Sequence, residues 1–232
     1  MQTITPEMHV ADIVSTLPES SDLFRKLRID FCCGGKVPLR SAVMERGLEE
    51  EHVMTELLEI QARQELHQMN EVTESDPREL IVHIQQKYHE KLRDELPALT
   101  PFVTKLAKVH GERYPYVMRL QDLYRALKEE LIAHTDDEDH NVFPAILSYI
   151  KEPTVERLEA LRPHIEELED EHETAGTVLK EMREITNGFT PPDDACNTHR
   201  LVLKRLENLE KDTFQHIHLE NNVLFEQVRQ AI

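Results

Sequence analysis

LQDLYRALKEELIAHTDDEDHNVFP, residues 120–144, is the stretch whose reading decides the fold. At helical spacing Leu120, Tyr124, Leu127 and Leu131 form an apolar stripe with steps of four, three and four. The same rhythm runs on to His134 and Glu138, so an imidazole and a carboxylate take over the inward face. They stand one turn apart and can point at the same object. Polar groups on a buried face must be satisfied, and a metal ion bound by neutral imidazole and ionised carboxylate does so economically.

Outward from this stretch the pattern recurs. The last apolar stripe, Val202, Leu206 and Leu209, leads to His216, Glu220 and Val223, a second HxxxE in register. Asp76-Pro77-Arg78-Glu79 is a helix start, with a cap, a proline in the first turn and an acid three residues on. The helix it opens carries Ile81, Ile84, Tyr88, Leu92 and Leu96, with His89 on the face of the last two. Pro97 is expected to end or bend it, and Thr100-Pro101 to open a new piece in which Val103 and Leu106 lead to His110. A further stripe from Leu158 to Met182 has His172 in step with it, and Pro163 is expected to kink or divide that helix. No strand-like alternation competes with these patterns. The fold class is all-α: an up-down four-helix bundle over residues 76–232, preceded by a small helical domain, 1–62, and a linker, 63–75.

The N-terminal unit contains a tight glycine-bearing turn, Ile29 to Lys36, that holds the adjacent thiols Cys32 and Cys33. Its core is small, so it leans on a partner. The two thiols are poorly placed to close a disulfide with each other. They read either as packed residues or as reactive groups able to bind iron transiently or respond to oxidants. Cys196, in a loop after two prolines, is expected to pack.

Lys and Arg number 27 against 45 Asp and Glu, a formal charge of −18, which argues against nucleic acid or an anionic membrane as partner. No run is apolar enough to span a membrane and the N-terminus lacks a signal pattern, so a cytoplasmic protein is expected. Three cysteines do not make a secreted disulfide framework. Thirteen histidines in 232 residues need an explanation.

Five of them, His89, His110, His134, His172 and His216, lie in register with apolar stripes, together with Glu138 and Glu220. Any one HxxxE alone is more often a surface pair. Jointly, seven ligand-type groups exceed one tetrahedral ion and suit two octahedral ions of the Fe or Mn type, bridged by carboxylates and capped by imidazoles. The other eight histidines, including His140 and His218, fall in register less cleanly.

The sequence resembles the hemerythrin-like di-iron proteins of the RIC family, the iron-sulfur cluster repair proteins of ScdA/YtfE type. The motifs that carry the resemblance run along the whole chain: Asp30-Phe31-Cys32-Cys33-Gly34-Gly35, Tyr88-His89-Glu90, Val109-His110-Gly111, and His134 with Glu138 before Phe143-Pro144. Glu171-His172, Pro191-Pro192 and His216 with Leu219-Glu220-Asn221-Asn222 complete it. The resemblance implies two non-haem iron ions, oxo- or carboxylate-bridged, on His89, His110, His134, Glu138, His172, His216 and Glu220, both glutamates bridging. It also implies repair of iron-sulfur proteins damaged by nitric oxide or oxidants, with iron supply as the expected mode; the oligomeric state is left open by the sequence, a homodimer being one option. Reduction of nitric oxide or peroxide at the same centre, or a ligand-responsive sensor, are the alternatives. His216 and Glu220 stand four apart, whereas oxygen-carrying hemerythrins end on His and Asp five apart; and only Glu169/His172 matches the ferritin-like Glu-x-x-His, so oxygen carriage and iron storage are disfavoured.

Overall fold

The computed structural model describes residues 4–66 and 76–230; most of the expected linker, from residue 67 on, lies outside the described residues. Short helices come first: α1 (Val10–Thr16), α2 (Ser20–Lys26), α3 (Leu39–Glu45) and the longer α4 (Glu50–Leu66). Then α5 (Pro77–Ile84) runs through a π-helical turn, Gln85–His89, into α6 (Glu90–His110). α7 (Tyr116–Asp137) passes through a second π turn, Glu138–Val142, into α8 (Phe143–Lys151). After α9 (Val155–Ile185), α10 (Asn197–Leu219) passes through a third, Glu220–Leu224, into α11 (Phe225–Gln230). Among the described residues there is no strand, only one isolated bridge between His9 and Pro38. The fold is an all-α, hemerythrin-like bundle with a helical N-terminal domain. No helix of the described residues is long and apolar enough to cross a membrane.

Two compact units divide the chain: Met1–Leu80 with Phe214–Ala231, and Ile81–Thr213. In the second, α6 packs on α7 and α7 on α9. Pro97 and Pro101 lie inside α6, which continues without interruption. The reason is its stripe: Leu92, Leu96, Leu99, Val103 and Leu106 are all buried and keep one phase through both prolines. Burial of five such side chains, at about 1.5–3 kcal/mol each, outweighs two interior prolines at roughly 3 kcal/mol each. Pro163 likewise leaves α9 whole over its 31 residues. The side chain of Thr154 caps α9 by accepting from the Arg157 N–H.

In the first unit the cysteine turn is organised by Asp30, whose Oδ1 accepts from the backbone N–H of Cys32 at 3.0 Å and of Cys33 at 3.1 Å. A Cβ on Gly35 would lie 2.5 Å from the Phe31 carbonyl oxygen, so that position requires glycine. The support expected from a partner comes from this unit's own C-terminal segment. α1 packs on the 220–224 turn, Phe31 meets Phe214 edge-on at 6.2 Å, and Asn222 donates to the Cys32 carbonyl at 2.9 Å.

His218 belongs to the same contact. Its Nδ1 lies 3.2 Å from the Phe31 carbonyl and its Nε2 3.3 Å from Ser15 Oγ, in a site that leaves it 1 % exposed. Burial pushes this imidazole down to about 4, against the opposing pull of the Phe31 carbonyl. With the folded pKa below the unfolded one, the unfolded chain alone takes up the proton as pH falls from about 6.5 to about 4. Stability is therefore complete above that window and lost on descending through it. Urea unfolding of metal-free protein should show roughly 2 kcal/mol of the loss between pH 7 and pH 5 disappear in His218→Asn, which cannot titrate. An unchanged pH dependence would remove His218 as the source.

Candidate metal centre

Each candidate carboxylate opens a π turn. Glu138 is the first residue of the second and Glu220 the first of the third, while His89 is the last residue of the first. Such turns widen the helix by one residue and recur at functional sites because they re-aim side chains. Here they put adjacent residues onto one ring: Glu138 Oε2 lies 3.4 Å from His89 Nε2, and Asp139 Oδ1 lies 2.9 Å from His89 Nδ1. The same Glu138 oxygen is 3.3 Å from His134 Nε2, and His134 Nε2 is 2.9 Å from His172 Nε2. On α10 and its π turn, His216 Nε2 stands 2.7 Å from Glu220 Oε1.

These groups are buried: Glu138, Glu220 and His89 at 0 % exposure, His172 and His216 at 1 %, His134 at 4 %. Two sets of four offer ligand atoms within 4.8 Å of one another: His89, Glu138, His216 and Glu220, and His134, Glu138, His172 and Glu220. Both glutamates belong to both sets.

The donor set fits a cation. Two buried carboxylates repel each other and carry a desolvation cost of several kcal/mol per charge. Imidazole Nε2 atoms converge on each other and on Glu138, the arrangement that neutral histidines adopt around a metal. With nitrogen and oxygen donors and no thiolate, the sets suit a six-coordinate first-row ion better than structural zinc.

The Nδ1 atoms of two candidate ligand histidines are held from behind. His89 Nδ1–H donates to Asp139, which also accepts from Gln85 at 2.9 Å and from Arg93 at 2.5 Å. His134 Nδ1–H donates to Glu171 Oε2 at 2.6 Å. Each bond fixes the tautomer that leaves Nε2 bare and aims it inward. Burial pushes the Asp139 carboxyl up, but hydrogen bonds from His89, Gln85 and Arg93 prevail and hold it well below the usual carboxylate range. The hydrogen bond from His134 holds Glu171 down against partial burial. Phe143 stacks flat on His89, with ring centroids 5.6 Å apart.

Six of the seven residues read from the stripes come together in this way; His110 does not. It ends the 21-residue α6, whose N-cap is His89, so the two lie roughly 30 Å apart along one rod at 1.5 Å per residue. The expectation of a new helix after Pro97 had hidden that distance. His110 instead meets Cys196, with Sγ 3.3 Å from its Nε2, and stacks on His199. Cys196 is exposed rather than packed. Cys32 is buried and Cys33 half-buried, with their Sγ atoms 3.7 Å apart, and neither belongs to the two sets. Sequence reading missed Asp139 and Glu171 as supports. Their signal was adjacency, one beside Glu138 and one beside His172.

A buried site of histidines and shared carboxylates inside a helical bundle defines a metal-binding protein of hemerythrin type. The hemerythrin HHE cation binding domain matches residues 80–228, and a domain of unknown function, DUF542, matches residues 6–61. The chain is 42 % identical over 222 residues to the iron-sulfur cluster repair protein ScdA of Staphylococcus haemolyticus, covering 96 % of this chain and 98 % of that one. It is 33 % identical over 216 residues to the iron-sulfur cluster repair protein YtfE of Enterobacter sp. strain 638, covering 93 % and 94 %. The chain belongs to this ScdA/YtfE family and carries its hemerythrin HHE cation binding domain.

His110→Ala should therefore retain the wild-type metal content, while His134→Ala and His172→Ala should each lose bound metal with helix content unchanged. Elemental analysis beside circular dichroism reads both. Loss of metal in His110→Ala equal to that in His172→Ala would return His110 to the centre.

Proposed function

We propose that the chain is a di-iron protein that repairs iron-sulfur clusters damaged by nitrosative or oxidative stress, and that it does so by supplying iron. The observation that carries this reading is the sharing of Glu138 and Glu220 by two four-residue sets, the pattern of two cation positions with two carboxylate bridges. The relatives' names, iron-sulfur cluster repair proteins, support repair, and the hemerythrin domain supports iron as the metal. The bound iron supplies the cargo and its redox chemistry; the chain supplies the rest. His89 and His216 cap one position, His134 and His172 the other, and the glutamates neutralise both. Histidine and carboxylate ligation also suits delivery, since such ligands exchange more readily than a thiolate cage. Cys32 and Cys33, with Asp30 accepting from the Cys32 thiol at 3.4 Å, are the groups on this chain able to hold iron in transit or to sense an oxidant. The clients are iron-sulfur proteins.

Protein purified without oxygen should carry close to two irons per chain and should restore the cluster of an apo iron-sulfur protein stoichiometrically. Glu138→Ala and Glu220→Ala should each lose both irons while keeping helix content, because each removes a bridge. A single zinc, or two irons that never reach the apo-protein, would overturn the reading.

A further inference from the structure

We propose that the two iron positions are unequal, and that the ion held by His134 and His172 is the one the protein gives up. This rests on the di-iron donor reading and names which of its ions is the cargo.

The inequality lies in what stands behind the two histidines that approach Glu138. Asp139, behind His89, is only 12 % exposed and is held from three directions, by His89, Gln85 and Arg93. Arg93 is itself tied to α7, donating to the Thr135 carbonyl at 3.0 Å. Gln85 and His89 bound the first π turn, Asp139 lies in the second, and Phe143 covers the ring face. For His89 to swing off a metal, this whole set must move. His134 is backed differently. Glu171 makes a good hydrogen bond to its Nδ1, yet the Glu171 side chain is 42 % exposed on α9. Water can compete for that carboxylate, and its rotamers are open to solvent. A histidine loosely held at Nδ1 is a ligand easily displaced at Nε2, because the backing carboxylate fixes ring orientation and raises ligand basicity. No redox step would be involved: His134 and His172 would release the ion, and water or an acceptor's ligands would take their places on it. His89, held by Asp139, would retain its ion, which would keep Glu138 and its neighbours neutralised.

The test is anaerobic release of ferrous iron from fully loaded protein to a colorimetric ferrous chelator. Wild type should release iron in two phases of about one equivalent each. Glu171→Gln should speed the first phase by about tenfold and leave the second unchanged, and Asp139→Asn should speed the second by 10–100-fold. After the first phase, anomalous diffraction from crystals of half-depleted wild type should find iron at His89 and none at His134 and His172. Iron remaining at His134, or Asp139→Asn accelerating the first phase, would overturn the inference and leave the di-iron reading intact. Release of both irons in a single phase would do the same. A wild-type protein that never loads two irons would instead sink the di-iron reading itself, and this inference with it.

Discussion

Two carboxylates with no exposure to water, Glu138 and Glu220, are the constraint around which the bundle is arranged. A buried carboxylate left to itself costs several kcal/mol, and two within one cluster also repel. Hydrophobic packing cannot remove that cost; opposite charge, hydrogen bonding or protonation can. The chain surrounds the pair with the imidazoles of His89, His134, His172 and His216. Neutral imidazoles offer lone pairs, so a cation bound among them compensates the carboxylates and is itself ligated by the same side chains. Cation binding and folding of the surrounding helices are in this sense one equilibrium, since binding to the folded state alone stabilises it.

The π turns show how local backbone serves that constraint. A regular helix aims neighbouring residues about 100° apart, so Glu138 and Asp139 would not ordinarily address one ring. With a π turn beginning at Glu138, one takes the Nε2 side of His89 and the other the Nδ1 side. Three candidate ligands, His89, Glu138 and Glu220, stand at the ends of three such turns. A π turn has weaker packing than the helix it interrupts, so its recurrence at ligands marks where geometry at the metal outranks helix stability.

Much of this was legible in the sequence, for a physical reason. Helical periodicity reports which residues face inward, and an inward His or Glu is unusual enough to stand out. His134, Glu138, His172, His216 and Glu220 were visible because each sits in phase with leucines. His110 was in phase too: from Leu106 it is one more step of four. Phase gives direction around an axis and says nothing of distance along it. The continuity of α6 could have been read from Leu96, Leu99 and Val103, whose steps of three and four pass through both prolines without slipping. The π turns were not legible, because no residue type encodes them and the tertiary demand that creates them is spread over other helices. Asp139 and Glu171 were hidden by composition: in a chain with 45 acids, one more beside a ligand draws no attention.

The cysteine turn illustrates a coupling that sequence separation conceals. Residues 31 and 32 are held by His218 and Asn222, which lie within two residues of Glu220 on the helix and turn that also carry His216. The backbone carbonyls of Phe31 and Cys32 thus rest on the segment that carries the candidate ligands His216 and Glu220. A shift of that segment would be felt directly at those two carbonyls, since a packed interior transmits strain. Asp30 then passes it on, because its one Oδ1 accepts from both cysteine N–H groups. The thiols lie outside both ligand sets, yet they are fastened to the same short run of helix as two of the ligands. That attachment gives the small N-terminal domain a reason to be folded onto residues 214–231.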